Sequence, residues 1–408
     1  MKRRNFLFLQ GPCTPFFAAL ADHLASLGYQ VFRINFCGGD TLYWGQRPSI
    51  RYRGKPEELD TFISDIYKQY GITDQILFGD RRPVHRPAVE KAKQHGVRTH
   101  VFEEGYFRPY WITLEREGTN AHSLLPRDTQ WFYRAGQRIP EQSKPTPFQS
   151  SLKVRAIHDI AYHIASIVNP FLFSEYRTHA DNIAPIEYLG YIKRFSKLKF
   201  FKQREQSREH SLINSDKPYF LLPLQLNGDA QIRDHSSFAH MGDVMEHVLS
   251  SFSRSAPEDT ILVIKNHPLD MGLMNYDRLL RKLEKQFHVE NRIVYLETGN
   301  LTSLINHAKG VITVNSTTGF VSLELGVPTF CLSDPLYHLP GLTYQGTLDD
   351  FWTMHTPPDR EFFECFQKVV LYSVQINGGF YSADGISLAV ENASRVLLSE
   401  HSPLEEIL

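Results

Sequence analysis

The 408-residue chain carries only four cysteines, Cys13, Cys37, Cys331 and Cys365, widely scattered and with no CxxC pair or zinc-like histidine spacing. That pattern argues against a disulfide framework or a structural metal and fits a reducing cytoplasm. No window approaches the roughly 20 apolar residues that a membrane-spanning helix needs, so any membrane contact is expected to be peripheral. The formal charge of −1 provides no global field for nucleic acid or an anionic bilayer, and no nucleic-acid recognition module stands out. Any anion site must therefore be local. No DxD motif closes a strand, so no divalent metal is expected. The amino end, MKRRNFLFLQGPCTPFF, begins basic and apolar, but Gln10 and Pro12 interrupt the run after one strand length and no small-residue cleavage site follows. It reads as a first β-strand.

What is present is an average globular composition, 42% apolar and 22% charged, on a chain longer than one core usually organises. Two domains are expected. NFLFLQ, PFFAALADHLASLG and YQVFRINF alternate strand, helix and strand, and the alternation continues with a helix at 57–70, a strand at 75–78, a helix at 86–95 and a strand at 99–102. This predicts a parallel sheet covered on both faces. Residues 1–150 read as a Rossmann-like lobe. Residues 151–214 read as a helical connector with a basic second half, which is either a solvated helix or one that rests on lipid headgroups. A second Rossmann-like lobe is expected over 215–355. A tail over 356–408, helical around GGFYSADG, is expected to return to the first lobe. The fold class is thus α/β, two Rossmann-like lobes facing a central cleft.

In such sheets ligands bind beyond the carboxyl ends of the strands, which makes polar residues there informative. Gln10 and Gly11 close the first strand, and Asn35 and Gly39 follow the second; small residues would admit substrate, although a tight turn explains them too. Glu103 and Glu104, with Arg108 nearby, follow an apolar strand, where adjacent carboxylates suit general acid/base work or a cationic transition state. A capping acidic pair with an arginine counter-ion is the plainer reading, and the polar run TLEREGTNAHSLLPRD favours function. Lys265, His267 and Pro268 close the strand TILVI, where imidazole and ammonium suit a phosphate, as an ordinary loop would also allow. Asn315, Ser316, Thr317 and Thr318 open a helix with three hydroxyls, more than helix capping alone requires. Gln225, Asp229, Gln231 and His235 lie in a further polar loop after a strand.

Taken together, QGPC, FEEGYFRP with TLEREGTNAHSLLPRD, PLQLNGDAQIRDHS, NHPLDMGL and VNSTTGF with ELGVPTF resemble the capsular polysaccharide synthesis and export family, in its KpsS/LipB-type branch. The resemblance spans nearly the whole chain and implies that the lobe over 1–150 is the acceptor side and the lobe over 215–355 the nucleotide-sugar side. It implies a GT-B-type β-Kdo transferase using CMP-Kdo as donor and a lyso-phosphatidylglycerol acceptor at the inner face of the inner membrane, with retention at the anomeric carbon and no metal. It implies that His267-Pro268 and Ser316-Thr317 hold the CMP and that Glu103, Glu104 and Gly105 form the acidic motif, although Glu104 stands where related Kdo transferases often have aspartate. Other capsule synthesis or export proteins are expected partners. Two other readings stay open: a transferase or 2-epimerase acting on another nucleotide sugar, and a non-catalytic export-associated subunit.

Overall fold

The computed structural model describes residues 4–142, 144–149, 151–176, 184–226, 232 and 236–408. The chain forms two compact units. The first gathers Met1–Pro126, Ala135–His179 and Gln367–Leu408; the second gathers Arg127–Arg134 and Ala180–Phe366.

In the first unit, the strand β1 (Asn5–Phe8) is buried along Phe6, Leu7 and Phe8, as a central parallel strand requires. The helix α1 (Phe16–Ser26) follows, burying Phe16, Phe17, Leu20, Ala21 and Leu24 on one stripe. Burying each Phe or Leu contributes about 1.5–3 kcal/mol. The chain continues through β2 (Gln30–Asn35), α2 (Gly38–Trp44), β3 (Ile50–Arg51), α3 (Leu59–Tyr70), β4 (Asp74–Phe78), α4 (Arg86–His95), β5 (Arg98–Glu104) and β6 (Trp111–Arg116). Strands β1 to β5 are parallel in the order β3-β2-β1-β4-β5, so the order reverses between β1 and β4. That reversal is the topological switch point, where the loops leaving two neighbouring strands diverge and open a binding site.

The polar run after Glu104, expected to signal function, contains the antiparallel strand β6. Its charges serve the fold. Glu115 accepts a hydrogen bond from the Tyr106 hydroxyl at 2.9 Å, and Arg116 donates to the carbonyls of Glu400 and Ser399 at 2.9 and 3.1 Å. The helices α5 (Thr129–Arg138), α6 (Leu152–Ala165) and α7 (Asn169–Leu172) come next, the first of them divided between the units.

The second unit begins with the 30-residue helix α8 (Ala184–Ile213). Among the described residues of 151–214, α6 and α7 belong to the first unit and α8 to the second, where the sequence predicts a single helical connector. The strands β7 (Tyr219–Pro223), β8 (Ile261–Lys265), β9 (Ile293–Leu296), β10 (Gly310–Thr313) and β11 (Thr329–Cys331) are all parallel, in the order β11-β10-β7-β8-β9. This repeats the Rossmann-like order of the first sheet, with its switch point between β7 and β10. The helices α9 (Met241–Ser255), α10 (Tyr276–Phe287), α11 (Leu301–His307), α12 (Thr318–Glu324) and α13 (Leu348–Met354) alternate with them. Phe220, Phe252 and Trp352 pack edge to face at 5.0–5.2 Å in the core of this unit.

The helix α14 (Arg360–Val374) leads back to the first unit. There β12 (Gln375–Asn377) pairs antiparallel with β6. The helix α15 (Ala383–Leu398) packs on α1 through Ala389, Ala393 and Leu397. The stretch GGFYSADG is mostly a turn: Gly378 has φ 156°, and a Cβ on it would lie 2.6 Å from the Ala389 backbone. Glycine is needed there for the close approach of α15.

Candidate active site

One polar cluster lies at the end of β5, one strand away from the switch point of the first unit, and another at the switch point of the second. In the first unit, Glu103 and Glu104 end β5, and the two-residue period of a strand sends them to opposite faces. Glu103 lies toward the loop after β4, where Gly79 has φ 72° and a Cβ would stand 3.2 Å from Glu103 Oε2. Part of Glu103 still meets solvent, but densely packed protein around the carboxyl pushes its pKa up to about 7, with smaller upward pushes from the Glu104 and Asp80 charges. The Glu104 N–H, donating to Oε1 at 3.2 Å, and the Arg82 charge oppose this. Asp80, also buried, is raised for the same first reason. Glu104 faces different partners: it accepts from the Tyr381 hydroxyl at 3.1 Å and pairs with Arg155 at 3.3 Å. The Arg155 guanidinium lies over the Tyr381 ring at 4.8 Å. The counter-ion of Glu104 is thus Arg155. Arg108 is exposed and turns back to the Gly105 carbonyl at 3.3 Å.

The other strand-end residues of this unit are taken up by internal packing. Gln10 is fully buried; its amide lies 3.1 and 3.2 Å from the Tyr162 and Tyr176 hydroxyls and 3.3 Å from Asp40, while its oxygen accepts from Arg82 at 3.2 Å. Asn35 accepts from Arg33 at 2.8 Å and donates to Ser49 at 3.1 Å. A Cβ on Gly39 would fall 2.5 Å from the Tyr162 ring, and one on Gly11 would fall 2.7 Å from Phe17. Their smallness admits neighbouring side chains, which corrects the expectation that it admits substrate.

In the second unit the loops leaving β7 and β10 meet. The Gln225 amide donates to Asn315 Oδ1 at 3.1 Å, and the Asn315 N–H donates back to Gln225 Oε1 at 3.3 Å. Ser316 Oγ accepts the Thr318 N–H at 3.2 Å and lies 3.2 Å from the Thr318 hydroxyl, so these two hydroxyls partly serve each other. The Tyr337 hydroxyl donates to the Ser316 carbonyl at 2.6 Å, and a Cβ on Gly319 would collide with Tyr337 at 2.2 Å. Thr317 is half-buried beside them.

At the end of β8, the His267 N–H donates to Asn266 Oδ1 at 2.8 Å, and His267 Nδ1 accepts the Leu269 N–H at 3.1 Å. With Nδ1 accepting, the neutral ring carries its proton on Nε2. Pro268 follows, its carbonyl accepting from Arg194 at 3.1 Å. Lys265 differs from expectation. It is 6% exposed, donates to the Asn266 carbonyl at 3.2 Å, and has its pKa lowered by burial first and by the Arg194 charge second. Its ammonium underlies the loop instead of facing out of it. Among the described residues, no group of three or more His, Cys, Asp or Glu side chains is assembled as a metal site. Asp229, Gln231 and His235 lie outside the described residues.

Residues 73–381 match the profile of a family described as "Capsule polysaccharide biosynthesis protein". The chain belongs to the capsule polysaccharide biosynthesis family. It is 36% identical to the "Capsule polysaccharide export protein KpsS" of Escherichia coli, over 93% of this chain and 97% of that one. It is 34% identical to the "Capsule polysaccharide modification protein LipB" of Neisseria meningitidis serogroup B, over 93% of this chain and 92% of that one. Among solved structures it resembles "Thermosulfurimonas dismutans KpsC, beta Kdo 2,7 transferase", with 13% identity, TM-score 0.46, and 97% of this chain and 100% of that one covered. A likeness at that level carries no functional argument.

In this capsule polysaccharide biosynthesis protein, four polar residues around Glu103 and Glu104 are not singled out by the sequence analysis. Asp80 and Arg82 stand directly after β4 in GDRRPVHRP, and the strand-end rule applied to Glu103 would have found them. Arg155 and Tyr381 come from remote segments, and no local pattern marks them as partners of Glu104.

Proposed function

We propose that this capsule polysaccharide biosynthesis protein is a glycosyltransferase that moves Kdo from CMP-Kdo to a lyso-phosphatidylglycerol acceptor, with retention at the anomeric carbon, to begin a β-Kdo linker. The observation that carries the reading is the reciprocal Gln225–Asn315 pair at the second switch point, which sets Ser316, Thr317 and Thr318 where such folds bind nucleotides. The choice of Kdo rests on the motif resemblance. Departure of CMP leaves positive charge on the sugar and negative charge on the phosphate. His267, presenting Nε2–H, and the hydroxyls of Ser316 and Thr317 are assigned to the phosphate. Glu103, whose pKa its packed surroundings push up to about 7, is assigned to the acceptor hydroxyl as its base. Glu104, ion-paired with Arg155, is assigned to the sugar side. No metal is assigned a role.

No helix among the described residues is long and apolar enough to cross a membrane. Peripheral attachment at the inner face of the inner membrane belongs to the same proposal, supported by the apolar side chains exposed on α6, on α7 and on the turn between them, among them Ile157, Ile164, Ile167 and Phe171. Other capsule synthesis or export proteins are the partners this reading implies.

Calorimetric titration with CMP tests the donor site. Wild type is expected to bind, His267→Ala and Ser316→Val to lose on the order of tenfold in affinity, about 1.4 kcal/mol, and Glu103→Gln to bind as wild type. Binding of UDP in place of CMP would move the reading to another nucleotide sugar. Binding of neither would favour the export-associated subunit that the name of the Escherichia coli relative suggests.

A further inference from the structure

The helix α8 reads in sequence as a basic surface element, yet Arg194 on it is buried, with 5% exposure. A buried guanidinium has five N–H donors to satisfy and no acceptor of its own. Arg194 satisfies four of them on backbone. Nη1 donates to the carbonyls of Pro268 at 3.1 Å and Asp270 at 2.6 Å, and Nη2 to those of His267 at 3.1 Å and Glu297 at 3.3 Å. Nε lies 3.5 Å from the Glu297 carboxylate, which also accepts from the Asn266 amide at 3.2 Å. Gly272 has φ 68°, and a Cβ there would lie 3.4 Å from Arg194 Cβ, so the loop closes tightly around the arginine stem.

We propose that Arg194 is the positioning residue of the nucleotide site: its planar fork holds the loop 266–272 in the one shape that aims His267 at the donor phosphate. The proposal rests on the reading of His267 as a phosphate contact. The chain of contacts is short. Arg194 fixes the His267, Pro268 and Asp270 carbonyls, the folded loop brings the Leu269 N–H onto His267 Nδ1 at 3.1 Å, and that bond keeps the ring proton on Nε2. Lysine cannot replace the fork, because an ammonium on a flexible stem has three donors and no plane that reaches all these carbonyls at once. A second part of α8 works alongside: Glu205 accepts the Glu297 N–H at 2.9 Å and Glu209 accepts the Asn300 N–H at 3.0 Å, which tethers the loop after β9.

The test combines amide hydrogen exchange with donor kinetics on Arg194→Lys and Arg194→Met. Exchange at Leu269, Asp270 and Gly272, whose N–H groups bond within the loop, is expected to accelerate on the order of tenfold in both variants, while the amides of β7 and β8 keep their protection. The KM for CMP-Kdo is expected to rise by up to about tenfold, the affinity that His267→Ala itself is expected to lose, and kcat to fall as well, because His267 is assigned to the leaving phosphate. If Arg194→Met unfolds, Arg194→Lys carries the test, since it keeps the charge. Unchanged exchange at those three amides, or faster exchange with wild-type KM, overturns the proposal. If the wild-type protein yields no donor KM at all, the nucleotide reading has failed, and the exchange data still decide whether Arg194 holds the loop.

Discussion

Glu103 is a carboxyl group that burial has moved to where proton transfer at neutral pH is easiest, while its neighbour Glu104 has an arginine and a tyrosine for company. If Glu103 takes the acceptor proton, it must be ionised to act, so the transfer rate should rise with pH through about 7. Glu103→Gln should cost roughly 10²–10⁴ in rate, the usual contribution of a general base, and abolish that limb. The Arg82 charge lowers the Glu103 pKa, so Arg82→Met should move the limb to higher pH. A pH profile that stays the same in Glu103→Gln would remove Glu103 from the mechanism. The acidic pair was visible in the sequence because an apolar strand delivers it to a carboxyl end. What separates the two acids was not visible: the surroundings of Glu103 come from the loop after β4, and those of Glu104 come from α6 and the turn before α15.

Elements show the same division. The strand and helix alternation of both sheets follows from apolar periodicity and is plain in the sequence, whereas β6 is concealed by its buried Thr113, Glu115 and Arg116. Their partners are supplied by the returning tail and by Tyr106, so the strand looks polar while lying in a core. The helix α8 misleads in the other direction, since one of its basic residues is a buried clamp. The apolar surface belongs to α6 and the turn into α7, where Ile164 is 59% and Phe171 88% exposed. The same helix supplies Arg155 to Glu104 from its opposite, inward side, so the exposed apolar side is left as the expected seat on a bilayer. Sedimentation with vesicles containing lyso-phosphatidylglycerol checks this: wild type is expected in the pellet and the Ile164→Glu/Ile167→Glu/Phe171→Glu variant in the supernatant. Equal pelleting of the two would rule out this face as the attachment surface.

At the scale of the molecule, two sheets with the same strand order carry the two clusters, and a family of capsule biosynthesis proteins is where such a chain belongs. The number of sheets could be counted from the sequence; the partition of the chain could not. It changes unit at Pro126, Arg134, His179 and Phe366, so α5 and α14 each belong to both units, and helical periodicity runs through such crossings without a break. The return of the tail depends on contacts made far along the chain, where β12 pairs with β6 and α15 covers α1. The central claim is that this chain is a Kdo transferase. Its most direct test is the mass of the product formed by purified protein from freshly generated CMP-Kdo and a fluorescent lyso-phosphatidylglycerol, with EDTA present and beside folded Glu104→Ala and His267→Ala variants. The account predicts a product heavier by one or more Kdo units, formed despite the chelator and lost in both variants. An unmodified acceptor, with folded protein and a verified donor, would contradict it.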